Sequence, residues 1–553
     1  MSKQHYFSLG FDFGTESVRV IIANIVNGEI IAQAEEKYTH GVMDHQLPDG
    51  RKLPPNYALQ HPQDWLTNLA QACRAALKAG KCRPEQIVGI GVAFTSCTML
   101  PTKADGTPLC LTSGFGNVPL AWPKLWKHHG AKRQTDRINE VARARNEDWL
   151  SRYGGTVGLE WFFPKILETL EEAPDVYCAA EVWLEAGDWL VWQLTDGPWP
   201  LCQGRNLVRS TCQAGYKGCW SKRDGFPSPD FLAAVHPKLA GVVTEKMPGR
   251  MLAPGQRAGM LSVKAAELLN LRPGIPVSAA IIDAHAGLPG SGVCENDTLV
   301  MVIGTSSCHM LNSSHEHCVP GIAGVVEDGI LPGSFGYETG QASVGDALAW
   351  LVRTLGVSHE RMNVAAAALA PGSHGVLAID WLNGCRTPLM DGRISGAFLG
   401  LSLTTRPEQM YRALMEATAF GVRWIVELLR ENGVAVNGFI ASGGLPTKSP
   451  LMMRIYSDVL KARITLPEST QSVALGAAIL GCIVADTRHT GCKTVTDTIR
   501  TMARQRTDLI YQPNLAITRQ YDTLYALYRK LTGVNGPLPA VMRDLQDFAA
   551  HQV

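Results

Sequence analysis

The feature that most constrains the fold is a four-residue pattern that occurs twice. The letters GTES occupy residues 14–17, and the letters GTSS occupy residues 304–307. At both places a run of strand-like residues precedes the pattern and another follows it. A pattern that recurs between the same elements indicates an internal repeat. The chain is therefore predicted to have two halves, each built around the same strand-turn-strand hairpin.

The length of the chain agrees with a two-part organisation. A single hydrophobic core stops growing at roughly 250–300 residues, and this chain has 553. Strand patterns alternate with amphipathic helix patterns in both halves, which predicts two α/β domains. Glycine and proline are frequent in residues 271–292, so we expect residues 1–275 and 276–553 to form the N-terminal and C-terminal domains.

Composition restricts the kind of partner. Lys and Arg total 51 against 50 for Asp and Glu, and no run of five like charges occurs, so no nucleic-acid surface or membrane patch is expected. A strand pattern starts within six residues of Met1, which leaves no room for a signal peptide, and no apolar run reaches 18 residues. We expect a soluble cytoplasmic protein that acts on a small molecule; a homodimer is left open.

The two turns have the chemistry of a phosphate site. A glycine lets the main chain approach a ligand closely, and amide and hydroxyl groups donate to phosphate oxygens. Each turn alone is better explained as a plain hairpin, but two copies in equivalent places favour a pair of turns that hold a polyphosphate. The predicted contacts come from Gly14, Thr15, Ser17, Gly304, Thr305 and Ser307. Asp12 precedes the first turn and is expected to bind Mg²⁺ through water.

A third glycine turn, at Gly443 and Gly444, follows a short strand and precedes a helical pattern. Such a turn suits a flat adenine or an α-phosphate near a helix N-terminus, although a tight strand-to-helix connection explains the same residues. The helical pattern of residues 472–481 is rich in small residues, which predicts that it packs closely on this turn.

Asp283 is the most informative single residue. It follows the apolar segment IPVSAAII at the predicted carboxyl end of a strand, where α/β sheets bind their ligands. Burial there would raise the pKa of the carboxyl and suit it to act as a general base. An N-cap of the following helix is the alternative, and the residues alone leave both open.

Together these motifs resemble the FGGY carbohydrate kinases. The resemblance covers nearly the whole chain and is carried by DFGTESVR, VIGTSSC, IIDAHAG, DWLNGCRTP, the segment that starts GAFLGLSLTTRPEQM, and ASGGLPTKSP. It implies two actin-like (ribonuclease H-like) ATPase domains with a cleft between them, and it implies ATP and Mg²⁺. It also places Ser449 in the adenosine turn.

The resemblance further implies the residues that contact the sugar. Segments such as CQAGYKGCWS and GYETGQASVGD are similar to the branch that phosphorylates ketopentoses, with L-ribulose at its 5-hydroxyl as the expected substrate. Asp283 would then be the base, and Ser96, Lys217 and Glu338 would contact the sugar. Ala93 stands where that branch has an acidic residue, so another ketose or polyol, such as D-ribulose or L-xylulose, stays open. A non-catalytic protein switched by ATP is the alternative from another class.

Overall fold

A computed structural model describes residues 5–196, 207–372 and 375–550. Its strands are β1 (Phe7–Phe13), β2 (Ser17–Asn24), β3 (Ile30–Lys37), β4 (Ile87–Phe94), β5 (Met99–Thr102), β6 (Val182–Glu185), β7 (Val208–Ser210), β8 (Arg250–Leu252), β9 (Arg257–Met260), β10 (Pro276–Ser278), β11 (Ile281–Ile282), β12 (Thr298–Ile303), β13 (Ser307–Ser313), β14 (Gly324–Glu327), β15 (Phe335–Gln341), β16 (Leu377–Ile379), β17 (Ala397–Leu399), β18 (Gly438–Ser442), β19 (Ile464–Pro467) and β20 (Gln505–Tyr511).

The α-helices of the described residues alternate with these strands. They are α1 (Pro62–Ala79), α2 (Lys132–Ala144), α3 (Phe162–Glu172), α4 (Pro174–Ala179), α5 (Ala186–Asp196), α6 (Thr211–Lys217), α7 (Pro229–Val235), α8 (Val242–Lys246), α9 (Val263–Leu269), α10 (Asp283–Gly290), α11 (Gly345–Leu355), α12 (His359–Ala367), α13 (Pro407–Glu431), α14 (Gly444–Lys448), α15 (Pro450–Leu460), α16 (Ser472–Val484), α17 (Thr487–Thr490), α18 (Val495–Met502), α19 (Leu515–Thr532) and α20 (Pro537–Ala550).

The first sheet forms from the N-terminal half. Its strand order is β3-β2-β1-β4-β10-β9, and β11 also pairs with β4. The strands β1 to β3 form an antiparallel meander, whereas β4 runs parallel to β1 and to both β10 and β11. β4 is buried along its whole length, as expected for an inner strand covered on both faces.

The second sheet repeats this arrangement. Its order is β14-β15-β13-β12-β18-β19-β20. The first four strands are antiparallel, β18 and β19 run parallel to β12, and β20 is an antiparallel edge strand. The hairpin β12–β13 therefore occupies the place that β1–β2 occupies in the first sheet. The prediction of two α/β halves around one repeated hairpin is confirmed.

The first sheet extends past residue 275. β10 and β11 pair with β4, so a boundary between residues 275 and 276 would divide this sheet. Helix α10 follows directly and contacts strands of both sheets. We propose that the N-terminal domain continues to about residue 290 and that α10 is its last element.

The two halves meet where α10 crosses α16. A Cβ atom added at Gly290 would lie 1.7 Å from the carbonyl oxygen of Ser472, and one at Gly476 would lie 1.8 Å from that of Ala286. α16 also lies on β1 and β4, where Gly10 and Gly91 leave room for its backbone. The small residues of α16 thus pack on the first sheet and α10. Ser472, whose hydroxyl lies 2.6 Å from that of Ser442, links α16 to the end of the strand that precedes the third glycine turn.

A helical region in the N-terminal half forms a hydrophobic core of its own. It includes α2, α3, α4 and α7, and its core contains Trp161, Ile166 and Leu167. Within the described residues, no helix is long and apolar enough to cross a membrane.

Candidate active site

The turn between β1 and β2 is closed by a hydrogen bond from the Gly14 amide to the Ser17 carbonyl (3.0 Å). The Thr15 hydroxyl accepts a hydrogen bond from the indole N–H of Trp126 (3.0 Å). The Ser17 hydroxyl donates to Glu35 on β3 (2.6 Å). Ser17 therefore uses its only hydroxyl proton within the sheet, which differs from the predicted contact with a phosphate.

The turn between β12 and β13 is also closed by the amide of its glycine, but to the carbonyl two residues later instead of three. The Gly304 amide donates to the Ser306 carbonyl (2.9 Å), and Gly304 and Thr305 are exposed. The carbonyls of both residues accept amides at the start of α11, so the helix holds the turn from behind. Ser307 is buried, and its hydroxyl lies 3.3 Å from Nδ1 of His309.

The third glycine turn lies beside the second. Val302 and Ser442 are partners in the parallel pair β12–β18, so the two strands end at the same edge of the sheet. Gly443 has a φ of +99°, and a Cβ there would lie 2.5 Å from the Ile303 carbonyl oxygen. Gly444 is exposed, with nothing within 4 Å of its Cβ position.

Ser449 follows this turn and caps a helix. Its hydroxyl accepts the Met452 amide at the start of α15 and donates to the side-chain oxygen of Asn363 (2.9 Å). Ser449 is buried, and these partners engage its hydroxyl. This differs from the contact with adenosine that the resemblance implies for its side chain.

Asp283 and Asp12 lie near each other at the carboxyl ends of neighbouring strands. Asp283 follows β11, Asp12 lies near the end of β1, and β4 runs between them. Burial, then the charge of Asp12, raises the pKa of Asp283 to about 7, although the Ala284 amide opposes this by donating to its carboxylate (2.7 Å). Burial raises the pKa of Asp12 to about 6, opposed by Arg19 at 3.3 Å.

Helix geometry bears on the alternative role of Asp283. The N-cap position of α10 is Ile282, and Asp283 is the first helical residue. Its carboxylate accepts a hydrogen bond from the amide of Ala284, and from no other helix amide that the structure describes. A half-buried carboxylate with a raised pKa can accept a proton near neutral pH.

Lys217 and Glu338 form an ion pair between the two halves. Lys217 ends α6, Glu338 lies on β15, and their Nζ and Oε1 atoms are 2.8 Å apart. Nε2 of the buried His285 lies 3.4 Å from the other carboxylate oxygen. Burial alone would raise the pKa of Glu338, but Lys217 and His285 hold it well below its usual range. Lys217 also lies over the ring of the buried Trp161, 5.2 Å from its centroid.

Ser96 lies in the turn after β4. Its hydroxyl is buried, and no described group forms a hydrogen bond with it. The next residue, Cys97, has a φ of +42°, which is uncommon outside glycine. Ala93 is fully buried within β4, among the apolar residues around Tyr216, so its side chain is part of a core.

Sequence reasoning missed several residues of this cleft. Arg386 is half-buried in the loop beside β15, where the Thr387 amide donates to the Gly340 carbonyl (3.2 Å). Burial opposes its charge, but Cys308, Glu160 and Glu338 raise the pKa of Arg386, so these groups share its surroundings. Arg386 belongs to the motif DWLNGCRTP, so that motif is the sequence signal that could have identified it.

His128 has a partner that the sequence did not reveal. Its Nε2 lies 2.9 Å from the Glu168 carboxylate on α3, and both side chains are fully buried. Burial lowers the pKa of His128 although Glu168 opposes it. The pair anchors the segment that carries Trp126.

Family models match both halves of the chain. The N-terminal domain of the FGGY family of carbohydrate kinases matches residues 7–290, and the C-terminal domain of that family matches residues 299–485. The chain belongs to this family, and it has the two-domain α/β fold of a carbohydrate kinase. The N-terminal match ends with α10.

The relatives give a narrower comparison. The chain is 43% identical over 540 residues to a ribulokinase from Shouchella clausii, covering 95% of this chain and 94% of the relative. It is 39% identical to a ribulokinase from Mycolicibacterium smegmatis (98% and 97% covered) and 36% identical to one from Staphylococcus aureus (98% of both).

Solved structures agree on the fold. A xylulose kinase from Rhodospirillum rubrum superposes with a TM-score of 0.76 at 22% identity, covering 95% of this chain and 99% of that one. A glycerol kinase from Plasmodium falciparum, solved with ADP, gives 0.74 at 16% identity, covering 96% and 99%. Similarity at this level of identity shows the shared fold alone.

Proposed function

We propose that the protein transfers the γ-phosphoryl group of ATP to the 5-hydroxyl of a ketopentose, with L-ribulose as the preferred substrate. The observation that carries this proposal is the identity of 36–43% over nearly the full chain with relatives named ribulokinase. The arrangement of residues supports it, because the charges of Asp12 and Glu338 act on the candidate base and each of the three glycine turns follows a strand of one of the two sheets.

Asp283 is the proposed general base. Its pKa of about 7 lets the carboxylate accept the proton of the 5-hydroxyl as the oxygen attacks phosphorus. Phosphoryl transfer asks a protein chiefly for positioning and for neutralisation of charge. A single carboxylate beside well-placed donors therefore meets the chemical need.

Lys217, Glu338 and Ser96 are the proposed sugar contacts. The ion pair presents a donor and an acceptor from opposite halves of the chain, and the hydroxyl of Ser96 is buried without a partner. A buried hydroxyl that lacks a partner is costly, which a sugar hydroxyl would relieve. Because the pair spans both halves, bound sugar would also favour closure of the cleft and exclusion of water.

The turns are the proposed nucleotide site. Main-chain amides and the Thr15 and Thr305 hydroxyls of the two hairpins would hold the phosphates, and Gly443 and Gly444 would lie against the adenosine. The hydroxyls of Ser17, Ser307 and Ser449 have partners within the protein, so we assign them to the support of these turns.

Asp12 is the proposed Mg²⁺ residue. A carboxylate whose pKa is raised by burial gains from a positive partner, and a hydrated divalent cation, which favours oxygen ligands, would supply one in addition to Arg19. When bound, the ion would neutralise charge on the phosphates. We also propose a cytoplasmic location, since ATP is the phosphoryl donor.

A coupled ADP-release assay tests the proposal. The purified protein is given ATP, Mg²⁺ and, one at a time, L-ribulose, D-ribulose, L-xylulose, tetruloses and pentitols. We expect the highest kcat/KM for L-ribulose. A clear preference for another polyol or ketose would overturn the choice of substrate, and ATP binding without stimulation by any of them would favour a non-catalytic ATP switch.

A further inference from the structure

Lys165 is a buried lysine whose described hydrogen bonds all go to main-chain carbonyls. It lies in the first turn of α3 and is fully buried. Its Nζ donates to the carbonyls of Cys97 (2.8 Å), Leu125 (2.8 Å) and Lys124 (3.4 Å). An ammonium group has three N–H donors, so this set of carbonyls satisfies all of them.

These carbonyls belong to two different segments of the cleft. Cys97 follows Ser96 in the turn after β4. Its φ of +42° is a backbone conformation that residues other than glycine rarely adopt. Leu125 precedes Trp126, whose indole N–H donates to Thr15 in the first glycine turn. Lys165 therefore joins the proposed sugar-contact turn to the segment that contacts the proposed phosphate turn.

A role in packing alone does not account for this arrangement. A buried lysine costs free energy that an apolar side chain of similar volume would avoid, and burial lowers the pKa of Lys165. Two backbone hydrogen bonds between Met99 and Lys124 already join the two segments. What the ammonium adds is a bond to the carbonyl of Cys97 itself, the residue with the positive φ. A displacement of about 1 Å at a reacting centre can cost on the order of 10²-fold in rate.

We propose that Lys165 is a positioning residue for sugar phosphorylation. It holds the turn of Ser96 in its strained conformation and keeps that turn in register with Trp126 and the first glycine turn. This inference rests on the proposed function. The wild-type assay with ketopentoses separates the two, because failure of the wild-type enzyme to phosphorylate any ketopentose would count against the function itself.

Lys124 provides a matched control. It is another fully buried lysine in the same region, and its Nζ donates to the Leu120 carbonyl (2.7 Å), outside both segments. Its ammonium lies over the Trp183 ring, 5.5 Å from the centroid. Replacing it by methionine removes a buried charge without removing a bond to the turn of Ser96.

The experiment compares Lys165→Met with Lys124→Met in the coupled assay, with ATP affinity measured separately by calorimetry without sugar. We expect Lys165→Met to raise the sugar KM and lower kcat, together a fall of about 10²-fold in kcat/KM, with ATP affinity within about threefold of wild type. Lys124→Met should keep a sugar KM close to that of wild type, even if its melting temperature falls as much as that of Lys165→Met.

A second substitution tests the mechanism. Glycine adopts positive φ without a steric cost, so Cys97→Gly in the Lys165→Met background should recover part of the lost sugar affinity. Lys165→Gln, which keeps N–H donors on a shorter side chain, should give an intermediate loss.

Three results would overturn the proposal. The first is a wild-type sugar KM in folded Lys165→Met, and the second is an equal rise of the sugar KM in Lys124→Met. The third is failure of both Lys165 variants to fold while Lys124→Met folds, because Lys165 would then be a determinant of folding only.

Discussion

Among single residues, Asp283 has the ionisation on which the proposed chemistry depends. A base must be deprotonated to accept a proton, and the pKa of Asp283 is raised to about 7. We therefore expect kcat/KM for the sugar to fall about tenfold per pH unit below pH 7 and to level off above it. A pH-rate profile between pH 5 and 9 measures this. A profile that is flat through pH 7 and turns down only near pH 4 would contradict a base with this pKa.

Replacing the base gives a second test at the same residue. Asp283→Asn keeps the shape of the side chain but removes the proton acceptor, so we expect kcat to fall by roughly 10²–10⁴-fold. ATP binding, measured by calorimetry, should be unchanged because the proposed nucleotide contacts lie elsewhere. Near-normal turnover in this variant would remove Asp283 from the role of base.

The same substitution should affect stability with a definite sign. The pKa of Asp283 is raised in the folded protein from an ordinary value of 3.8 to about 7. The folded state therefore holds this proton more tightly than the unfolded state, and stability is lost as pH rises from about 4 to about 7. Each unit of raised pKa corresponds to about 1.4 kcal/mol. Asp283→Asn should thus unfold at a higher temperature than wild type at pH 8, and the difference should disappear near pH 4.

The limits of sequence-based prediction are clear at the same scale. Asp283 was identifiable because an isolated carboxylate in an apolar stretch is a local signal. The partners of Ser17, Ser449 and Lys165 were not identifiable, because Glu35, Asn363 and the Cys97 carbonyl reach them only through tertiary packing. Hydroxyl residues in a glycine turn thus predicted a phosphate site without showing which of them are engaged within the protein.

At the level of elements, the connection from β18 to α14 shows how a turn is fixed by its neighbour. Gly443 combines a positive φ with close approach to the Ile303 carbonyl, whereas the adjacent Gly444 has open space around it. Gly443→Ala should destabilise the protein by at least about 1–2 kcal/mol, which is the cost of placing a residue with a side chain in the left-handed backbone conformation. It should also weaken ATP binding. Thermal unfolding and calorimetry measure the two effects.

Gly444→Ala is the matched variant for the stability measurement. It adds the same methyl group one residue later, where no atom lies within 4 Å, so its melting temperature should stay near that of wild type. Equal destabilisation by the two substitutions would show that loss of glycine, rather than the strained contact with β12, determines the stability of this turn.

The elements themselves were largely predictable. The period-2 pattern around both GTxS motifs and the helical period of residues 407–431 each correspond to an element of the structure. The place of α16 was not predictable, since small residues indicate close packing but not the partner. They were expected to lie against the adenosine turn, and they lie chiefly against α10 and the first sheet.

For the whole molecule, the α10–α16 crossing is a contact that leaves no room for an added side chain. A methyl group at Gly290 would overlap the Ser472 carbonyl, so the helices would have to separate. We expect Gly290→Ala to lower the free energy of unfolding by about 1–3 kcal/mol or more, as measured by denaturant titration. Gly392→Ala, at a site with no atom within 4 Å, is the control and should unfold like wild type. A Gly290→Ala variant as stable as this control would contradict the tight crossing.

This crossing also has a mechanical consequence for catalysis. Asp283 is the first residue of α10, and Gly290 at the other end of that short helix touches α16. Points close to an axis of rotation travel the least. If the halves rotate about this contact, residues far from it sweep through long arcs while the carboxylate of Asp283 moves little. The proton acceptor would then act as a stationary reference against which the moving phosphate and sugar are aligned in every catalytic cycle.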